Sequence, residues 1–527
     1  MSPRLANPRH IQALWLLPGL ALLLFILIRT AWVCDDAYIT FRTVDNFING
    51  HGLTWNTAER VQTYTHPLWM LLLSLFNSFI PDIYSISIIC SIVLTLAAAV
   101  VVAGRTARSN SSALIVLVAM ISSRAFIDYS TSGLENPLSH FILALFLLVY
   151  FRESAGNSRL RTLSFLASAA ILTRQDFGLI VLPPLAVAAS THPWRKGLAH
   201  VLTGLIPVMA WELFSLFYYG FLLPNTAYAK LNTGIPLVAL VQQGRYYLYE
   251  SLVKDHVTLP VIVTGIAISI VRPERRKIAV GLGILFYLLY MLRIGGDFMS
   301  GRLLTSPLIC ALSVIAWYLP PLRLRYGVAT ASALLLISLC NPYPSLLSGR
   351  DYGVGRNALA EAIHGIADER ASYYSGTGLL RRVDGEVWPQ GRLAEKGRDM
   401  RRMQGRVITT YAIIGIFGYE AGPAVYIIDP FALSDPLLAR LPVEDKTNWR
   451  IGHFRRALPT GYDETIDTGN LNALRDPVIR DYYERLHLVI SGNLGDMSRL
   501  PEIWRFLTGE NDRRLRADMK AQSSSGE

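Results

Sequence analysis

Residues 11–36 read IQALWLLPGLALLLFILIRTAWVCDD, a membrane-length apolar run that ends on two adjacent aspartates. Crossing a bilayer takes about 20 apolar residues, and 11–33 supplies them. Carboxylates beside lipid are costly to ionise, and like charges side by side raise one another's pKa unless a cation or donor answers them. One aspartate would mark only a helix end at the interface. A pair, Asp35 and Asp36, followed by an amphipathic stretch, predicts chemistry at a membrane face.

The rest of the chain extends that reading. Of 527 residues, 52% are hydrophobic and 17% charged, with mean hydropathy +0.33, which is the composition of a polytopic membrane protein with room for a further domain. The net charge of +11 is uneven: residues 1–344 hold 25 Lys+Arg against 14 Asp+Glu, while 345–527 hold 25 of each. The basic excess therefore belongs to the membrane part, where it reports topology. No basic stretch interleaved with aromatics suits nucleic acid. Cys34, Cys90, Cys310 and Cys340 lack metal-ligand spacing and read as free thiols. Arg4 and Arg9 precede the first run without a small-residue cleavage site, so that run is expected to be retained as a span.

Hydropathy predicts eleven spans, near 11–33, 83–103, 111–126, 137–152, 162–174, 177–190, 199–219, 257–271, 278–292, 303–318 and 326–342. With a cytoplasmic N-terminus, the clusters at Arg105/Arg108, Arg152/Arg159/Arg161, Arg195/Lys196, Arg272/Arg275/Arg276/Lys277 and Arg323/Arg325 all fall inside, as the positive-inside rule requires. That holds when 66–80, which opens on His66-Pro67, is an interfacial or re-entrant helix and not a span. The opposite face collects acids: Asp35, Asp36, Asp128, Glu135, Asp176 and Asp297, beside Arg174, Arg293 and Arg302. A convergent polar cavity on the outer side is expected.

Residues 37–64 place Tyr38, Phe41, Val44, Phe47 and Ile48 at helical spacing, predicting an amphipathic helix on the outer leaflet, with 230–256 as a second. Residues 345–527 form a separate α/β domain. Within it, the apolar runs 407–417 and 424–428 predict paired strands around a glycine turn, and the end from Ala521 a disordered tail. An odd span count puts this domain outside the cell. Asp429 and Asp435 read as turn residues.

An outward cavity of acids and arginines suits glycosyl transfer from a lipid phosphate. A carboxylate takes the acceptor's proton, and forked guanidinium donors such as Arg302 and Arg293 match a departing phosphate. A divalent ion held by Asp35 and Asp36 is the alternative source of positive charge. No Gly-x-Ser-x-Gly, Walker A or dinucleotide fingerprint occurs. The competing function is transport of a lipid-linked sugar, for which a midplane site and inverted repeats are expected and no repeat is seen.

The ordered motifs Asp35-Asp36-Ala37-Tyr38-Ile39-Thr40-Phe41-Arg42, Asn49-Gly50-His51-Gly52-Leu53 and Tyr64-Thr65-His66-Pro67-Leu68-Trp69 resemble the first external loop of a GT-C membrane glycosyltransferase. Matches continue at Thr131–Glu135, Thr173-Arg174-Gln175-Asp176, Pro224-Asn225-Thr226-Ala227-Tyr228-Ala229-Lys230 and Gly295-Gly296-Asp297-Phe298-Met299-Ser300-Gly301-Arg302, then at 428–436, 452–454 and 458–462. The set is similar to terminal arabinofuranosyltransferases of the cell wall and to pilin arabinosyltransferases.

The resemblance implies an inverting transferase of the plasma membrane that moves a sugar, D-arabinofuranose, from a polyprenyl-phosphate donor to an extracytoplasmic glycan or pilin-like protein. By the same resemblance, Asp35 or Asp36 is the base. Glu135 and Asp297 are further cavity acids, and Arg302 and Lys230 hold the lipid phosphate. Arg42, His66, Arg174, Asp176 and Asn225 lie in the matched motifs and complete the substrate-binding set. Structural alternatives stay open: Asn225 is a turn former after Pro224, His66 an interfacial residue, and Arg174 a partner for Asp176. Gly295-Gly296 is as well explained by a tight turn as by substrate contact. Gln175 stands where the family pattern has proline, and Val61-Gln62-Thr63 where an acidic run is expected.

Overall fold

The computed structural model describes residues 13–152, 157–231, 233–271, 273–383 and 385–525. Arg4, Arg9, Arg272 and the first two residues of the leading apolar run lie outside them. Every one of the eleven apolar runs is helical, from Ala13–Thr30 to Leu324–Leu339. By length and apolarity, two helices among the described residues reach a membrane span, Ile83–Thr106 and Trp194–Tyr218, or four when two broken pairs are each counted as one. The others, such as Asn136–Phe151, are shorter than the roughly 20 residues a perpendicular span takes.

The chain packs as two compact units, and their bounds do not follow a single cut at residue 344. The first comprises 1–34, 82–208 and 236–388. The second gathers 35–81, 209–235 and 389–527.

Within the first unit, packed helices bury faces such as Leu308, Ile309 and Leu312 of Thr305–Tyr318. The segment 345–381 belongs to this unit because of charge. Arg124 Nη2 pairs with Asp368 (2.6 Å), Arg370 Nε with Asp128 (3.2 Å), and Arg356 Nη1 with Asp368 (3.0 Å), while the Tyr352 hydroxyl donates to Asp368 at 2.6 Å. Asp128, expected among the cavity acids, is therefore held in a structural ion network. The Gly295-Gly296 turn has φ of 87° and 75°, and a Cβ on Gly296 would come within 2.7 Å of Tyr247. The turn itself explains both glycines.

In the second unit, strands Val407–Thr410 and Val425–Ile428 pair in parallel, in register from Val407↔Val425 to Thr410↔Ile428. Parallel neighbours require a crossover, and the end of the first run together with the expected turn at 418–422 forms the helix Gly415–Ala421, closed by Gly422. The Asp35–Ile48 helix also differs from expectation. Most of its apolar face is packed against protein, since Tyr38, Phe41 and Val44 are buried and the Tyr38 and Phe41 rings pack edge-on against Tyr419, while Phe47 is exposed. The stretch 66–80 forms the short helix Pro67–Asn77, about 16 Å long and too short to cross a membrane. At the C-terminus, helix Glu510–Ser525 includes 521–525 of the stretch expected as a disordered tail, and the last two residues lie outside the described ones.

Breaking a buried ion network by removing one partner costs about 3–5 kcal/mol. Asp368→Ala is therefore expected to lower the unfolding temperature of the purified protein by several degrees in a fluorescence melt. An unchanged melt would mean that the Arg124–Asp368 contacts do not hold this segment.

Candidate active site

The two aspartates at the start of the Asp35–Ile48 helix have different surroundings. Asp35 is 6% exposed, and its carboxylate accepts from Ile416 N at 2.8 Å and Gly415 N at 3.1 Å. It thus satisfies two of the amides that the start of the Gly415–Ala421 helix leaves without intrahelical partners. The approach requires glycine: a Cβ on residue 415 would lie 1.9 Å from the Asp35 carbonyl oxygen. Burial pushes the Asp35 carboxyl up to about 7, with Asp36 adding to the rise and the two amides opposing it. Asp36, one residue on, is half-buried. Sequence alone leaves the two equal; the packing separates them.

Arg42, two turns further along the same helix, is held as a strut. Its Nε donates to Trp55 O (2.8 Å), Nη1 to Gly418 O (2.6 Å) and Nη2 to Val425 O (2.7 Å), with the guanidinium 4.3 Å from the Trp55 ring. Asn225 is engaged in the same way. Its Nδ2 donates to the carbonyls of Ala432, Leu433 and Asp435, and its Oδ1 accepts from Arg440. His66 is buried, with Nε2 2.8 Å from the Thr40 hydroxyl. Asp429 and Asp435 are turn residues, as expected, and each accepts backbone amides of its own loop.

Lys230 sits at the end of the Asn225–Leu231 helix and is half-buried. Arg456 ties that helix to the 452–454 loop by donating to the carbonyls of Ala229 and Phe454. In that loop the His453 ring is held down to about 4, by burial first and then by the charges of Arg450 and Lys230. Arg450 and Lys230 thus each act on His453. Sequence reasoning found Lys230 and the Gly452-His453-Phe454 motif separately and missed Arg450. The basic residues are too far apart in the chain for spacing to join them.

In the first unit, five expected site residues form one connected group. Glu135 is fully buried, and its Oε1 accepts from Arg174 Nη1 at 3.0 Å and Arg302 Nη2 at 3.3 Å. Arg174 grips Asp176 with two donors (3.0 and 2.6 Å), and Arg302 Nη1 reaches Asp297 at 3.5 Å. Both readings of Arg174 thus meet in one geometry, since it pairs with Asp176 and with a second acid. The group carries three carboxylates and two guanidiniums, a formal charge of −1. Arg293 lies apart, exposed at the end of Arg275–Arg293. Asp35, Asp36, Arg42, His66, Asn225 and Lys230 belong to the second unit.

Both oxygens of Asp35 already accept backbone amides, and among the described residues no group of three or more His, Cys, Asp or Glu is placed to hold a metal. A hard cation wants about six oxygen ligands.

Burial also raises three further carboxyls of the second unit, Asp429 and Asp435 to about 7 and Glu59 to about 8. Between the ordinary carboxylate range near 4 and these values, the folded state holds protons that the unfolded chain has released. Stability therefore falls as pH rises from about 4 to 8, by up to ~1.4 kcal/mol per pH unit for each proton. His453, shifted down, opposes this between about 4 and its ordinary value of 6.5. The four carboxyls outweigh it. The unfolding temperature is expected to be lower at pH 8 than at pH 6, with a shallower slope in Asp35→Asn. A rise over that interval would contradict these environments.

No family model matches this sequence. The chain is 28% identical over 524 residues to the terminal β-(1→2)-arabinofuranosyltransferase of Mycobacterium tuberculosis, covering 81% of each chain. It is 26% identical over 329 residues to the protein of the same name from Corynebacterium glutamicum, covering 53% of this chain and 47% of that one. Crystal structures of ArnT from Cupriavidus metallidurans, bound to undecaprenyl phosphate and in the apo state, give TM-scores of 0.44 and 0.43 at 12% and 13% identity, over 78% of this chain and 85% of theirs. Over 81% of its length, the chain is similar to a terminal arabinofuranosyltransferase.

Proposed function

We propose that this protein is an inverting, polyprenyl-phosphate-dependent glycosyltransferase of the plasma membrane, and that it moves D-arabinofuranose to an extracytoplasmic glycan or protein. The similarity over 81% of the chain to a terminal arabinofuranosyltransferase carries the reading. In this proposal 1–344 hold the membrane-embedded chemistry, 345–527 lie outside, and the N-terminus is cytoplasmic. The composition of the second unit supports that topology: it joins 35–81 and 209–235, in loops that charge patterning puts outside, with 389–527.

Asp36 is assigned as the base and Asp35 as a positioning residue. Asp35 has both oxygens on backbone amides of Gly415 and Ile416, and so fixes the first turn from which Asp36 projects. Asp36 takes the acceptor hydroxyl's proton as that oxygen attacks the anomeric carbon. The new C–O bond forms on one face while the bond to phosphate breaks on the other, and polyprenyl phosphate leaves with the electron pair. A departing phosphate needs positive charge. The Glu135 group offers little surplus, because its two arginines face three carboxylates. Lys230, which the family resemblance places on the phosphate, stands outside that group and is the assignment for it. Glu135, Asp176 and Asp297 then serve to orient Arg174 and Arg302.

The test is transfer by purified protein from synthetic polyprenyl-phosphoryl arabinofuranose to a short glycan panel and a pilin-like peptide. A general base is worth about 10²–10⁴-fold, so Asp36→Asn is expected to lose that much of kcat with its melt unchanged. Asp35→Asn is expected to lower the melt. Wild-type transfer by Asp36→Asn would overturn the assignment, and lipid crossing sealed vesicles without sugar transfer would overturn the function.

A further inference from the structure

Within the second unit a cavity of about 230 Å³ opens beside Glu59 and lies apart from every residue assigned a role in transfer. Its floor is Glu59, Thr465, Tyr426 and Tyr483, all buried, and its rim is Arg406, Asp467, Thr468 and His487, all exposed. A second hollow of about 320 Å³ shares Ala58, Arg406 and Tyr426 with it. Small-ligand sites commonly run from ~300 to 1,000 Å³, so the two together are large enough for more than one sugar ring.

Glu59 is the unusual group. It is 4% exposed, and both of its hydrogen bonds fall on one oxygen: Oε1 accepts from the Tyr426 hydroxyl at 3.0 Å and from Asn56 Nδ2 at 3.5 Å. Oε2 has no hydrogen-bond partner among the described residues, although the residue lines the cavity. That oxygen is open to the cavity, where a ligand hydroxyl can bond it. The charges of the lining decide what kind of ligand. Burial keeps Glu59 protonated at neutral pH, which makes it donor and acceptor at once. Arg406 and Asp467 bring one charge of each sign, and the Arg406 guanidinium is engaged by the carbonyls of Ile466 and Asp467. Neither an anion nor a cation is favoured. A neutral ligand rich in hydroxyls matches hydroxyl and carboxyl hydrogen bonding between tyrosine rings.

We infer that this cavity is a saccharide-binding subsite, in which Glu59 hydrogen-bonds a hydroxyl pair of a neutral glycan and Tyr426 and Tyr483 form the walls. The inference rests on the glycosyltransferase reading and names a place where the acceptor chain is held.

The test is binding of a synthetic arabinofuranose tetrasaccharide to the full-length protein in detergent, measured by titration and saturation-transfer NMR. Two variants are used. Glu59→Gln keeps shape and polarity, and Thr468→Trp fills the mouth from an exposed rim position. Thr468→Trp is expected to weaken the tetrasaccharide at least tenfold, with polyprenyl-phosphate binding and the melt unchanged, and saturation transfer in the wild type is expected from tyrosine protons. Glu59→Gln is expected to bind within about threefold of wild type, since the amide also donates and accepts. Tetrasaccharide binding that survives Thr468→Trp would overturn the cavity assignment while leaving the enzyme reading intact. Transfer without measurable saccharide binding to wild type would overturn it too. Loss of polyprenyl-phosphate binding by the wild type would count against the enzyme reading instead.

Discussion

The second unit depends on one constraint: a carboxylate and a guanidinium, two helical turns apart, are buried against backbone that comes nearly 400 residues later. Asp35 accepts the amides of Gly415 and Ile416, and Arg42 donates to Gly418 and Val425. Neither charge is matched by a side chain of opposite sign in direct contact. Each is satisfied by main-chain dipoles, which supply hydrogen bonds worth ~1.5–3 kcal/mol apiece when one partner is charged. Burial shows in both groups, with Asp35 pushed up to about 7 and Arg42 down to about 9. The Gly415–Ala421 helix that they grip is the crossover joining the two parallel strands. The loop after the first apolar helix is thereby integral to the C-terminal α/β element, and Asp36 is presented from a fixed helical start.

The same device recurs through the second unit. Asn225 bonds three carbonyls of the 432–435 loop, Arg456 joins the Lys230 helix to the 452–454 loop, and Asn56 makes a pair of bonds to Ile427. The motifs that look like a substrate-binding set mostly anchor one another. The first unit uses charge differently. There Glu135 lies between Arg174 and Arg302, and Asp368 between Arg124 and Arg356, so that acids and bases meet side chain to side chain. Such networks set geometry well and leave little net positive charge, which is why the phosphate is assigned to Lys230.

Much of this was legible in the chain. Eleven apolar runs all became helices, because continuous apolarity of that length has few other solutions. The two short strands were visible as apolar runs, the first of them longer than the strand Val407–Thr410 it contains. What periodicity does not convey is who covers an amphipathic face: Tyr38, Phe41 and Val44 look the same whether lipid or Tyr419 lies opposite. The parallel pairing was hidden because Gly415, Gly418 and Gly422 imitate a turn, whereas Gly415 and Gly418 are there for the close approach of Asp35 and Trp55. At the site, residue types pointed to Arg42 and Asn225 as ligands, and spacing does not convey the long-range backbone bonds that hold both. Arg450 escaped notice because 219 positions separate it from Lys230. Asp35 and Asp36 are chemically identical in sequence, and only packing tells them apart.

A single displacement with one ionised aspartate as base passes through no covalent intermediate. The anomeric configuration of the newly made linkage tests that most directly, by NMR of product formed from a donor of known configuration. Inversion is predicted. Retention would require a second displacement at the anomeric carbon and would contradict Asp36 as base with Asp35 as its positioning residue.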